Sequence, residues 1–251
     1  MQVQLMDDPV QMGAAAAKYG ADVLREALRL RGQATIVVPT GASQFTMHDA
    51  LVREPGIDWS RVTVFHLDEY IGLPINHGAS FRGYLRDRFL SALPDAPVFV
   101  PVNGDAPDLA AELARLNTLL DGRPVDLCLA GIGENGHLAF NDPPCDFEVE
   151  DPYIVVDLDE ACRKQQLGEG WFPNLDAVPR QAISMSIRQI MRSACLVLTV
   201  PDQRKAVAVQ RALEGPVVSS CPASIVQRHP NCVAFLDPAA ASLLKPRRVG
   251  S

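Results

Sequence analysis

The strongest constraint on the fold of this chain is an alternation in its sequence. Short apolar runs recur at residues 34–38, 62–65, 125–130, 182–187, 195–200 and 232–236, and most are rich in β-branched residues. Several are almost continuously apolar, as expected of strands covered on both faces. Between them lie stretches with helical spacing, at 11–31, 43–53, 79–92, 107–121 and 202–214. In the first of these, Val23, Ala27 and Leu30 share a face and Gly32 stands where a C-cap belongs. Strands alternating with helices predict βαβ units and a mostly parallel sheet, an α/β fold. No repeat or linker divides the chain, so residues 1–251 are expected to form a single domain. Pro143-Pro144 and the acidic segment to Asp159 are expected to be an irregular excursion.

Composition removes several classes of function. The net charge of −7 argues against general nucleic-acid binding, which needs clustered Lys and Arg. No run approaches the roughly 18 apolar residues of a membrane span. The first residues, Met1 to Val10, lack the basic start and apolar core of a signal peptide. The six cysteines form no C-x-x-C pair and have no zinc-site spacing. Cys128 and Cys195 sit in apolar runs and read as buried thiols. This usage points to a reducing cytoplasm.

In open parallel sheets, ligands bind beyond the carboxyl ends of the strands, so the residues after each run hold the chemistry. After the first run stand Pro39-Thr40-Gly41-Ala42-Ser43-Gln44. A glycine turn entering a helix offers free N–H groups to a phosphate, although ordinary N-capping by Ser43 explains the same pattern. After the second come Asp68 and Glu69, adjacent carboxylates suited to acid/base work or to a solvated turn. The third is followed by Gly131-Ile132-Gly133-Glu134-Asn135-Gly136-His137, a formal G-x-G-x-x-G, with Asp157 about twenty residues past Gly136. A dinucleotide site requires a long helix at that point, and Pro143 would break it almost at once. The glycines therefore read as places where backbone approaches a ligand, with His137 beside Asp142 as an acid/base group. Lys205, just past another strand, could reach a phosphate as a point charge. Arg82, Arg86 and Arg88 with Asp87 read as a basic surface face.

These segments, in this order, resemble the glucosamine-6-phosphate deaminase/isomerase family. The matching pieces are Val38-Pro39-Thr40-Gly41, Leu67-Asp68-Glu69-Tyr70-Ile71-Gly72-Leu73-Pro74, the stretch from Gly131 through Gly136-His137-Leu138-Ala139-Phe140-Asn141-Asp142-Pro143, Val178-Pro179, Lys205-Ala206 and Ser224 to His229. They run from about residue 34 to 236, nearly the whole chain. The resemblance implies a Rossmann-like three-layer α/β/α sandwich without a bound dinucleotide, and no cofactor or metal. It implies conversion of an amino sugar 6-phosphate, by default glucosamine 6-phosphate, to fructose 6-phosphate and ammonia. Carried onto this sequence, Asp68, beside Glu69, moves the C2 proton to C1. His137, oriented by Asp142 with Asn135, opens the sugar ring. Thr40, Gly41, Ala42, Ser43 and Lys205 hold the phosphate, and Gly136 lets backbone approach the substrate. The implied partner is the small-molecule substrate, with neither nucleic acid nor membrane, and a homo-oligomer is compatible with the sequence.

Three departures from the family pattern stand out. Asn135 replaces an Asp, Asp142 replaces a Glu, and no Arg fills the phosphate-binding slot before Trp171-Phe172, where Arg163 or Lys164 is the available substitute. Residues 145–160 carry seven acids and no Lys or Arg, so an anionic effector would be repelled there. The alternatives are a 6-phosphogluconolactonase-like hydrolase, another 6-phospho-sugar isomerase and a non-catalytic sugar-phosphate sensor. The Asp68-Glu69-Tyr70 and Ala139-Phe140-Asn141 elements favour the deaminase.

Overall fold

The computed structural model describes residues 1–245. The strands are β1 (Gln2–Leu5), β2 (Ala34–Val38), β3 (Val62–His66), β4 (Asp68–Tyr70), β5 (Val98–Phe99), β6 (Leu127–Ala130), β7 (Tyr153–Asp157), β8 (Gln181–Met185), β9 (Leu196–Val200) and β10 (Cys232–Leu236). The α-helices are α1 (Pro9–Arg31), α2 (Phe45–Leu51), α3 (Phe81–Tyr84), α4 (Leu109–Leu120), α5 (Glu160–Gly168), α6 (Ile187–Met191) and α7 (Ala206–Glu214). Seven strands form one parallel sheet in the order β1-β10-β9-β6-β2-β3-β5. Its central strands β2, β9 and β10 are buried throughout, which is why they read as unbroken apolar runs.

Helix α1 shows how sequence sets an element. Asp8 caps its start by accepting from the Val10 and Gln11 N–H groups, and Pro9 occupies the first turn. Gly32 ends it in the left-handed conformation, φ 70°, as its position predicted. Met12, Ala16, Ala17, Ala21 and Leu24 lie on the buried face and pack with Met47, Trp59 and Phe89 against one side of the sheet. Truncating Leu24 to Ala would cost about 2–5 kcal/mol. Leu116, Leu120, Val209 and Ala212, from α4 and α7, pack on the other side. The result is the three-layer α/β/α arrangement.

Strand direction places the site. β2 leads to its neighbour β3 on one side, while β6 pairs with β9 on the other. The crevice where these directions diverge, between β2 and β6, is where an open α/β sheet takes its ligand. The loops after β2, β6 and β9 leave adjacent strand ends there.

A second sheet corrects the sequence reading. Residues 182–187 were expected to extend the parallel sheet. Instead β8 pairs antiparallel with β4 and β7 in a separate three-stranded sheet, order β4-β8-β7. Asp68–Tyr70 is therefore a short strand rather than a loop. The segment expected to be irregular contains β7 and leads into α5. β7 alternates from buried Tyr153 to exposed Asp157, and this half-covered pattern gives no continuous apolar run. The run beginning at Val125 enters the sheet only at Leu127, while the Asp126 carboxylate accepts from Thr35 N–H and pairs with Arg31. The 79–92 stretch breaks into α3, a wider turn at 85–89 and a tight turn at 90–92. Arg82 on that stretch is buried, bonded to Asn103 and Asp105, and is not part of a surface face.

Candidate active site

A cleft opens at the carboxyl ends of β2, β6 and β9. Thr40, Gly41, Ser43 and Lys205 line it. Gly41 takes φ 101° and turns the chain from β2 toward α2. Gln44, three residues on, locks this loop to the end of β9. Its amide donates to the Thr199 carbonyl at 3.1 Å and its oxygen accepts from the Thr199 hydroxyl at 2.5 Å. Ala42 begins the turn but does not line the cleft. Lys205 is 7% exposed. Burial lowers its affinity for its proton, and the neighbouring carboxylates Glu134 and Glu169 oppose that effect. A cation, two hydroxyls and a glycine turn are donors of the kind an anion would use.

Asp68 and His137, the candidate acid/base groups, line the same cleft. Strand alternation separates the adjacent carboxylates. Asp68 lines the cleft, whereas Glu69 points into the protein and is fully buried. The Glu69 carboxylate accepts from the Ser80 hydroxyl at 2.8 Å and from the Phe81 and Arg82 N–H groups at 3.2 and 2.9 Å. Glu69 therefore organises the start of α3, away from the cleft. Burial, with help from the Glu69 charge, holds the Asp68 carboxyl well above the ordinary carboxylate range. A carboxyl so placed is a stronger base when ionised and still available as an acid.

His137 lines the same cleft. Its imidazole lies against Gly133, where an added Cβ would stand 2.2 Å from the ring. This close approach requires glycine at 133. His137 Nδ1 is 3.1 Å from Asp142 Oδ1. The same carboxylate accepts from Asn135 Nδ2 at 3.0 Å and from the Asp159 N–H at 3.0 Å. Burial pushes the Asp142 carboxyl up, but these donors outweigh it and hold it below the ordinary range. An ionised Asp142 assigns the proton to Nδ1, which leaves Nε2 with its lone pair free. Gly136 does not line the cleft; its φ of 89° and its contact with Cys221 serve packing. His137, Asp142 and Cys162 offer metal-ligand atoms within 4.8 Å of one another. Asp142 already accepts N–H donors on both oxygens, so the trio fits a proton network better than a cation.

Helix α5 contributes what the sequence reading missed. Gln165, Gln166 and Glu169 line the cleft. Gln166 accepts from the Tyr70 hydroxyl at 2.7 Å. Burial raises the Glu169 carboxyl, although Lys205 opposes the shift. Neither suggested substitute for the missing Arg reaches the cleft. Arg163 donates to the Val178 and Leu175 carbonyls, and Lys164 pairs with Glu160. Asp159 at the start of α5 was the available signal, since Asp before a helical turn is an N-cap.

The model of the family described as glucosamine-6-phosphate isomerases/6-phosphogluconolactonase matches residues 7–234. A glucosamine-6-phosphate deaminase of Streptococcus equi subsp. equi is 37% identical over 235 residues, covering 94% of this chain and 97% of that protein. One from Oenococcus oeni is 33% identical over 247 residues, covering 98% and 100%. A solved structure described as a monomeric glucosamine-6-phosphate deaminase superposes with a TM-score of 0.89 at 32% identity, covering 97% of this chain and all of that one. A 6-phosphogluconolactonase from Shewanella baltica shares the fold, with a TM-score of 0.78 at 20% identity.

Proposed function

Because the chain belongs to the family of glucosamine-6-phosphate isomerases and 6-phosphogluconolactonases, we propose that it converts glucosamine 6-phosphate to fructose 6-phosphate and ammonia. One observation carries this reading: two groups able to move protons, Asp68 and His137, line a single cleft together with a buried cation, Lys205. The phosphate rests on Thr40, Gly41, Ser43 and Lys205. His137 Nε2 takes the proton of the anomeric hydroxyl and returns one to the ring oxygen, opening the ring. Asp142 stabilises the imidazolium that forms. The ammonium at C2 then lies beside Asp68 and favours its ionised form. Asp68 removes the C2 proton, an enolamine forms, and Asp68 delivers a proton to C1. Water adds at C2 and ammonia leaves.

Residues 1–251 are proposed as one catalytic domain, with Asp68, His137 and Lys205 lining one cleft of this chain. Among the described residues no helix is long and apolar enough to cross a membrane. All six cysteines are unpaired, which supports the reducing, cytoplasmic setting.

Purified protein should be assayed for ammonia release from glucosamine 6-phosphate and, in parallel, for hydrolysis of 6-phosphogluconolactone. Lactone hydrolysis needs only a base for water, a role His137 could fill, whereas deamination also needs Asp68. Ammonia release that far exceeds lactone hydrolysis supports the proposal. The reverse ranking overturns it.

A further inference from the structure

Sequence alone leaves His137 with one carboxylate, since position 135 is an amide. The fold brings a second from a different element. Asp159, at the start of α5, touches the network twice. Its N–H donates to Asp142 Oδ2 at 3.0 Å, and its Oδ2 accepts from Asn135 Nδ2 at 3.3 Å. Asn135 Nδ2 also donates to Asp142 Oδ1 at 3.0 Å, while its Oδ1 accepts from the His137 N–H at 3.0 Å. The amide can take only this orientation, because a flip would set its oxygen against two carboxylates. A carboxylate at 135 would face the same two without a proton to share. The residue types at 135 and 159 are therefore matched.

We infer that Asp159 is a positioning residue of the His137–Asp142 pair, acting through Asn135, and that Asn135 stands at its position because Asp159 is present. This rests on the deaminase reading only for its consequence in turnover. The charge of Asp159 orients the Asn135 amide. That amide fixes Asp142 Oδ1 toward His137 Nδ1 and holds a second negative charge three hydrogen bonds from the imidazole.

The test is a double-mutant cycle with Asn135→Asp and Asp159→Asn, joined by Asp159→Ser. Ser keeps the N-cap of α5, where Asp159 Oδ1 accepts from the Cys162 N–H, but removes the carboxylate. Asp159→Ser and Asp159→Asn should each lower kcat about tenfold with KM changed less than about twofold, and Asn135→Asp about 100-fold. The double variant should be at least about fivefold more active than the product of the single losses, since the sites are coupled. The Nδ1–H resonance of labelled His137 reads the same network without substrate. It should weaken in each single variant and recover in Asn135→Asp/Asp159→Asn. Losses that multiply, or wild-type kcat and an unchanged resonance in Asp159→Ser, overturn the inference. A wild-type protein that releases no ammonia overturns the deaminase reading instead, and the resonance still decides this one.

Discussion

The residues proposed as the anion end of the cleft, Thr40, Gly41, Ser43 and Lys205, stand on loops that leave the parallel sheet directly. Those proposed as its acid/base end differ: Asp68 and the support of His137 depend on the small antiparallel sheet and on α5. The anion end uses strand ends and turns, features that the order of the main sheet brings together by itself. The acid/base end is assembled from four separate segments: β4, the loop after β6, the start of α5 and the Ser80 turn. The anion end should therefore tolerate loss of the chemistry, and the acid/base end should fail when any support shifts.

The largest effect tests that independence. Gly133→Ala sets a Cβ against the His137 ring, and a displacement of about 1 Å can cost about 100-fold in rate. Turnover should fall by about that factor, while the affinity for inorganic phosphate, read by calorimetry, stays within about threefold. Equal loss of both would break the comparison. Lys205→Met should do the opposite. A hydrogen bond to a charged group contributes about 1.5–3 kcal/mol, so KM should rise about tenfold or more with kcat much less affected. Steady-state kinetics separates the two.

Smaller effects sharpen the contrast between the neighbours Asp68 and Glu69. Glu69→Ala removes the acceptor of three N–H groups and a hydroxyl in a largely buried turn. It should destabilise the fold by about 2–4 kcal/mol, seen as a lower unfolding midpoint. Asp68 and Asp142 should show opposite pH signs in stability. Asp68 is raised in the fold, so the folded chain holds that proton more tightly and stability falls as pH rises above the unfolded carboxyl range. Asp68→Asn should therefore gain about 2–4 °C in Tm near neutral pH, a gain that vanishes in acid. Asp142 is lowered, so its contribution is present above the unfolded range and is lost as pH falls through the folded value. Asp142→Asn should lower Tm at neutral pH and match the parent in strong acid. Thermal scans across pH check both.

The contrast also explains what sequence could show. Residues 34–44 read correctly because an apolar run, a glycine turn and a helix start are local signals, and so was the absence of a dinucleotide helix after Gly136. The support of His137 was not legible. Helix α5, Glu-Ala-Cys-Arg-Lys-Gln-Gln-Leu-Gly, has almost no apolar stripe, because its inner face meets a polar cleft through Gln165 and Gln166. β7 is half exposed and sits behind an acidic stretch. Glu69 was grouped with Asp68 by adjacency, but the two-residue period of a strand sends them to opposite faces.

The central claim is that Asp68 breaks the C2–H bond, and the most direct test follows that bond. Glucosamine 6-phosphate deuterated at C2 should lose its label from C2 on the wild-type protein, the deuterium appearing at C1 of fructose 6-phosphate or in water. Asp68→Asn should release it about 10²–10⁴-fold more slowly while still binding inorganic phosphate. Release from the variant at a rate within about threefold of wild type would contradict the account.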